Sequence, residues 1–366
     1  MLFRSEKREV TDQSTMVNIV GGSPDVIAEE TRRGTERLLR NLETQLFHGN
    51  SDLDSKAWDG IIKQIKDGGN VADLRGKAPT ALYLAEVLGA LYSAPFYGMI
   101  SHILVTPKVL TEIIKQTVHH GRHDQIQINS GNVTFGAQSI SITSPYGSVP
   151  VIACPFLERH DRIAPALGTS AVFDGTVTTP TISIQTAANQ NAASKFVAAD
   201  AGDYIYRVVP VGKDGIGEPV DTNAVTVAAG DQVTFTIAQT NTSQVDFYRV
   251  YRSAKNAANA NGALLVAEVA RTAAATLVTD NNEDIAGASD IVFVNQSPDY
   301  MCYYQMLSLV RRPLAQVTTS YPFLLMMFGA PAVKLPSKMF VVKNAGVNVA
   351  SGIESVTDPV LLGLRP

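Results

Sequence analysis

The chain has 366 residues, 45% of them hydrophobic and only 17% charged; the apolar share excludes a disordered polymer and leaves room for two or three domains with sizeable cores. Ordinary soluble domains carry about 25% charged residues, so this chain is charge-poor. A net charge of −4 argues against a protein whose main work is gripping nucleic acid, which normally shows a basic balance, though it leaves room for local basic patches.

Residues 1–24 are weakly periodic, end in Gly21-Gly22-Ser23-Pro24 and read as an extended arm. The arm has no apolar core of the kind a signal peptide needs. Helical spacing starts at Asp25, with Ser23 or Asp25 as cap. Ile27, Leu38, Leu39, Leu42 and Leu46 form its apolar stripe, which is less regular around Arg32-Arg33-Gly34, and Gly49 is the expected stop. Residues 50–79 break into short pieces: a turn or two of helix in 58–65, a stop at Gly68-Gly69 and a strand at 71–74. A second helix is predicted over 80–93, a short buried strand over 103–105, and a third helix from Thr106-Pro107 to Gly121. Residues 81–100 are the best membrane candidate, but Gly89, Pro95 and Gly98 interrupt them and Glu86 would sit in hydrocarbon. A buried helix ending before Pro95 is the better reading. From 126 to 154 apolar residues alternate with polar ones (Ile126 and Ile128, Val133 and Phe135, Ile140 and Ile142), which predicts strands and hairpins with one buried face.

Composition shifts near Leu167. Residues 167–289 contain no His, Cys, Met or Trp, and their 12 acidic and 7 basic residues give −5, leaving +1 for the rest. Strand patterns recur at 181–184, 204–210, 225–227, 233–237, 247–251, 264–269 and 276–279, with turn signals such as Lys213-Asp214-Gly215 and Ala229-Gly230-Asp231 between them. Seven short strands in such a stretch predict a β-sandwich. After Asp290 the style of the first half returns, so 167–289 reads as a domain inserted into another whose halves are 1–166 and 290–366.

Few residues promise chemistry. Cys154 and Cys302 are the only cysteines, which is neither a disulfide framework nor a zinc pattern, and the chain reads as made in a reducing compartment. His119 and His123 have metal-ligand spacing, with His120 and Asp124 nearby, but Gly121 falls between them; a polar helix end explains the cluster more simply. No GxSxG, Walker A or GxGxxG sequence occurs, and Ser101-His102 and His160-Asp161 have no nucleophile turn around them. Asp52 with Asp54, and Glu283 with Asp284, read as solvated turns or caps, while Asp280–Asp284 has the oxygen density of a calcium loop without its register. Arg4, Lys7 and Arg8 are balanced by Glu6 and Glu9, which suits a solvated or partner-docked arm. Arg311-Arg312 is either an intersubunit contact or an ordinary surface pair.

Five blocks in order resemble the major capsid proteins of tailed bacteriophages with the HK97-like fold. They are ETQLFHGNSDLDSKAWDGIIKQI (43–65), NVADLRGKAPT (70–80), ILVTPKVLTEI (103–113), ITSPYGSVPVIACPFL (142–157) and YYQMLSLVRRPLAQVTTSYPFLLMMFGAPAV (303–333). The segment 167–289 departs from the family's minimal form. It resembles immunoglobulin-like or fibronectin type III sandwiches through YIYRVVPVGKDGIGEP (204–219) and DFYRVYRSA (246–254), with the two strands in reversed order.

The resemblance implies an α+β HK97-like capsid fold with an inserted all-β sandwich domain. Its parts would be an N-terminal arm at 1–24, an extended loop within 47–80, a peripheral domain at about 80–125 with help from 25–46, and an axial domain at about 126–166 plus 290–340. It implies a non-enzymatic structural protein of the virion, made in the host cytoplasm, with no cofactor or metal and no membrane partner. The chain would assemble with itself into pentamers and hexamers of an icosahedral shell enclosing DNA without sequence-specific binding. Portal, scaffold and decoration proteins are the further partners implied. Phe47 and Trp58 are candidate intersubunit anchors, with packing inside their own subunit as the open alternative; Arg311 and Arg312 are the other two contact candidates. An encapsulin-like compartment shell, a surface adhesin working through its sandwich, and a metal enzyme around His119 and His123 are the competing functions.

Overall fold

The computed structural model describes residues 2–11, 26–54, 57–119, 127–129, 132–134, 140–144, 147–158, 163–168, 181–212, 215–238, 245–272, 275–316 and 319–346. The strands are β1 (Leu2–Thr11), β2 (Val71–Asp73), β3 (His102–Val105), β4 (Gln127–Asn129), β5 (Asn132–Thr134), β6 (Ile140–Ser144), β7 (Gly147–Ala153), β8 (Thr181–Gln190), β9 (Gly202–Tyr204), β10 (Tyr206–Gly212), β11 (Gly215–Ile216), β12 (Val220–Asp221), β13 (Val225–Val227), β14 (Asp231–Ala238), β15 (Phe247–Arg252), β16 (Leu264–Ala270), β17 (Ala275–Asp280), β18 (Ser289–Val294), β19 (Met301–Pro313), β20 (Ser320–Val333) and β21 (Phe340–Ala345). The helices are α1 (Val26–His48), α2 (Ile61–Asp67), α3 (Ala81–Tyr92) and α4 (Pro107–His119). The fold is therefore α+β. Ser23 and Asp25, the expected caps of α1, lie outside the described residues.

Two compact units emerge. The first holds 1–51, 55–70 and 295–337, the second 52–54, 71–294 and 338–366.

In the first unit α1 lies on an antiparallel sheet of order β1-β20-β19. Leu38 on the helix meets Val10, Phe323, Leu325 and Met327 on the strands. The break in the helical stripe at Gly34 has a physical reason: a Cβ there would lie 2.7 Å from Leu325 Cδ1, so helix and strand come together where no side chain intervenes. The arm expected at 1–24 is, over 2–11, a strand bound to its own chain from Leu2↔Gly329 to Thr11↔Ser320. Arg8 pairs with Glu30 of α1 at 3.3 Å rather than facing solvent alone.

Within 47–80, where an extended loop is expected, the described residues around Gly49 and Gly60 make local contacts. Gly60 N donates to Gly49 O at 2.8 Å, and a Cβ on Gly60 would lie 2.4 Å from the Phe47 carbonyl oxygen, so the chain closes on itself backbone to backbone. Asp59 then accepts from Ser51 N and Oγ at 3.0 and 2.8 Å and pairs with Lys63 at 2.9 Å. Ile61, Ile62 and Ile65 bury one side of α2.

In the second unit a six-stranded mixed sheet runs β2-β21-β18-β3-β7-β6. Its apolar face carries Ile103, Val105, Val149, Val151, Ile291, Phe293 and Val342. Leu84, Val87, Leu88 and Leu91 of α3, with Val109 and Ile113 of α4, pack onto it. Thr80 Oγ1 caps α3 by accepting from Tyr83 N at 3.1 Å, and Pro107 opens α4 where its missing N–H costs nothing. This packing corrects the expected split at 125/126: helices assigned to a peripheral domain share one core with strands assigned to the axial one.

Between β7 and β18 the regular structure of the described residues is strand, apart from short 3-10 turns at Pro155–Leu157 and Ala198–Asp200. A sheet of order β11-β10-β15-β16, with β12 also on β10, shares a core with the sheet β17-β14-β8 and the pair β13-β9. Tyr206, Val208, Phe235, Ile237, Tyr248, Val250 and Val278 fill it. Ala164 already belongs with this region: its N–H donates to Ala263 O at 2.8 Å.

Candidate intersubunit surfaces

Phe47 and Trp58 are each 8% exposed. Trp58 Nε1 donates to Gln45 O at 3.2 Å, and the ring stands edge-on to Tyr303 with centroids 6.4 Å apart. Both side chains are covered by their own chain, which leaves little of either for a neighbour.

Arg311 and Arg312 are exposed near the end of β19. The register places Arg311 opposite Leu325, on the α1 side, and Arg312 opposite Leu324, on the other side. The Arg311 guanidinium sits over the Phe323 ring, 4.5 Å from its centroid. It also borders an open cavity of about 480 Å³ lined by Ile27, Ala28, Thr31, Thr35 and the ion-paired Arg32 and Glu36. Arg311 is thus a packed residue on one side and a free charge on the other.

Sequence reasoning missed two exposed side chains on the same strand, Tyr304 at 55% and Met306 at 70%. They lie in an apolar run that reads as buried, and nothing local marks which face of the strand is left uncovered. Leu82, Tyr97 and Met99 are the matching exposed apolar residues of the second unit.

The oxygens of 280–284, expected in solvated turns or caps, have partners within the chain. Asp280 Oδ2 accepts from Arg252 Nη1 at 2.8 Å and from Tyr206 OH at 2.9 Å. Burial drives the Tyr206 hydroxyl well above its ordinary range, with the Asp280 charge adding to it. Glu283 is held by Lys343 at 2.6 Å and Lys195 at 3.6 Å. The hydrogen bond from Lys343 is the main cause of its lowered pKa.

These contacts continue into a polar junction between the β-rich region and the six-stranded sheet. Arg75 donates to Asn282 O at 2.8 Å and to Lys195 O. Asn344 Nδ2 donates to Asp73 Oδ1 and Glu283 O, both at 2.8 Å, while its Oδ1 accepts from Ile285 N at 2.9 Å. Burial alone would raise the Asp73 pKa; the hydrogen bonds from Asn344 and Arg75 N, with the charges of Arg75 and Lys343, lower it instead.

His120, His123, Asp124 and the pair His160-Asp161 lie outside the described residues, as does the side chain of His119. Ser101 Oγ is 2.8 Å from His102 Nδ1 and 3.2 Å from Val294 O. Among the described residues no cluster of metal-ligating side chains occurs, and no helix is long and apolar enough to cross a membrane.

The family model of the SU10 major capsid protein matches residues 5–179. The major capsid proteins of Staphylococcus phages S25-3 and K are each 23% identical over 360 residues, covering 94% of this chain and 74% of theirs. A putative major capsid protein of Enterococcus phage phiEF24C is 23% identical over 370 residues, with the same coverage. Among solved structures, the holo-SrpI encapsulin complex from Synechococcus elongatus PCC 7942 is similar at a TM-score of 0.41 and 10% identity, over 96% of this chain and 76% of that one. The molecule is a structural, shell-forming protein. It is a major capsid protein of the kind found in phages, and its place is the virion capsid.

Proposed function

We propose that this chain closes into pentamers and hexamers of an icosahedral shell around viral DNA, in an HK97-like arrangement. The first unit serves as the peripheral domain and the second as the axial domain. The β-rich region, close to the 167–289 span expected from composition, is an inserted module on the outer surface. The observation that carries the reading is the division of the chain: a helix-on-sheet unit, and a six-stranded unit whose chain leaves after β7 and returns at β18. The family match ends at residue 179, just before β8, which supports an insertion there. Closed rings need two different patches on each subunit meeting head to tail, and the two units offer chemically different surfaces. Counted over their sequences, the first unit carries 13 basic and 11 acidic residues and the second 17 and 23, so they differ in sign at +2 and −6. DNA is enclosed without sequence-specific contact, and portal, scaffold and decoration proteins complete the virion.

Cryo-electron microscopy of particles formed by this chain tests the reading. The expected result is a hollow shell of five- and six-membered rings with the β-rich module outside. Filaments, free monomers, or shells from infected cells holding protein cargo and no DNA would contradict it.

A further inference from the structure

The two edges of the first unit's sheet are built in opposite ways. β1 forms one edge, and five of its ten residues are charged: Arg4, Glu6, Lys7, Arg8 and Glu9. Charge along an edge is how sheets discourage unwanted pairing. β19 forms the other edge and is longer, at 13 residues. Its first ten residues, 301–310, carry no charge. Among the described residues its outer edge pairs with no strand. Tyr304, Met306 and Val310 are nonetheless exposed, on the strand face opposite Tyr303 and Leu309, which pack toward α1, and Leu314 follows just beyond. A long uncharged edge with apolar side chains outside is a template for another strand.

We propose that the outer edge of β19 is a strand-addition interface for a second copy of this chain. The inference rests on the chain's self-assembly, and charge argues for the same occupant. Arg311 and Arg312 pair with no carboxylate among the described residues, so whatever covers this end of the strand gains by bringing acidic groups. The second unit, at −6, is the acid-rich half of the molecule and is present in every copy. The contact is heterologous, because β1, the opposite edge, is closed to the same use by its charges; heterologous contacts are the ones that close into rings. The register shifts at Gln305–Leu307 and Leu307–Val310 bend the strand. They restrict pairing to a segment of matching twist, which suits one specific neighbour better than indiscriminate aggregation.

The test places a photo-crosslinking amino acid at position 306 and assembles shells from the purified chain. A covalent dimer of this chain, with the link mapped from 306 to a neighbouring copy, is expected. In parallel, Met306→Lys should cut particle yield at least about tenfold, a cost of about 1.4 kcal/mol at the contact, while the free subunit keeps its melting temperature. Lys7→Glu on β1 should leave the yield unchanged. Shells that form normally without a crosslink at 306, or virions in which 306 links to a different protein, would overturn the proposal and leave the capsid function standing. Failure of the unmodified chain to form any particle would overturn both.

Discussion

The β-rich region and the three-stranded sheet of the first unit solve the same problem, covering strands, in opposite ways. The β-rich region turns its charges inward and satisfies them. Arg207, with a side chain only 1% exposed, makes a bidentate contact with Asp221 at 2.6 and 2.8 Å and donates to Pro165 O at 3.0 Å. Arg252 lies between the Phe196 and Tyr204 rings while reaching Asp280 and Asn282. The three-stranded sheet buries one face under α1 and leaves β19 with apolar side chains in solvent and two arginines that pair with no carboxylate among the described residues. The first region is finished within one subunit; under the strand-addition proposal the second is finished by a neighbouring copy. That difference also accounts for part of the low charge of the whole chain, because interface cores are depleted in charge.

The comparison can be broken most severely in the β-rich region. Asp280→Ala strands Arg252 without its partner in the interior, and removing one member of a buried pair costs about 3–5 kcal/mol. Denaturant unfolding of the free subunit should show that loss, and an unchanged midpoint would refute the inward-charge account. Trp58→Ala removes a buried ring from the first unit at a cost of about 3–5 kcal/mol. The loss should appear in the free subunit as well as in particles, and a defect confined to assembly would mean that Trp58 faces a neighbour after all.

Acid sharpens the same contrast. Asp73 and Glu283 have pKa values lowered from 3.8 and 4.5 in the folded chain. Their stabilising effect is complete above those ordinary values, begins to fade as pH drops through them, and is gone once pH passes below the lowered folded values. Thermal melting of the subunit between neutral pH and about pH 3 should fall along this course, and Asp73→Asn should flatten it. The smallest effect is expected on β19: Tyr304→Lys should change free-subunit stability by less than about 0.5 kcal/mol, as solvent-facing substitutions do, when followed by denaturant unfolding. A larger loss would show that the exposed edge already serves the single chain.

Local signals carried much of the fold. Thr80 and Pro95 bracket α3, Pro107 opens α4, and alternation located β14 and β17 to within two residues. What local pattern lacked was long-range packing. Nothing near 80–125 says that those helices share a core with β18 (Ser289–Val294) and β21 (Phe340–Ala345), far along the chain. Arg252 and Asp280 are 28 residues apart, so Asp280 read as one of several loop oxygens when it is the counter-charge of a buried guanidinium. Gly34 looked like a flaw in a helix because its reason lies on β20. The candidate contacts divided in the same way. Phe47 and Trp58 are aromatic and sit in a loop, which fits a surface anchor and a buried plug equally well. Tyr304 and Met306 were invisible because an uninterrupted apolar run does not mark which of its two faces stays uncovered.

Hydrogen exchange on the free subunit and on assembled shells compares the two regions in one experiment. β14 and β15 should be strongly protected in both states, while the amides of 301–310 that point away from β20 pass from fast exchange in the free subunit to slow exchange in the shell. Equal protection of those amides in both states, or protection of β14 and β15 that appears only on assembly, would contradict the account.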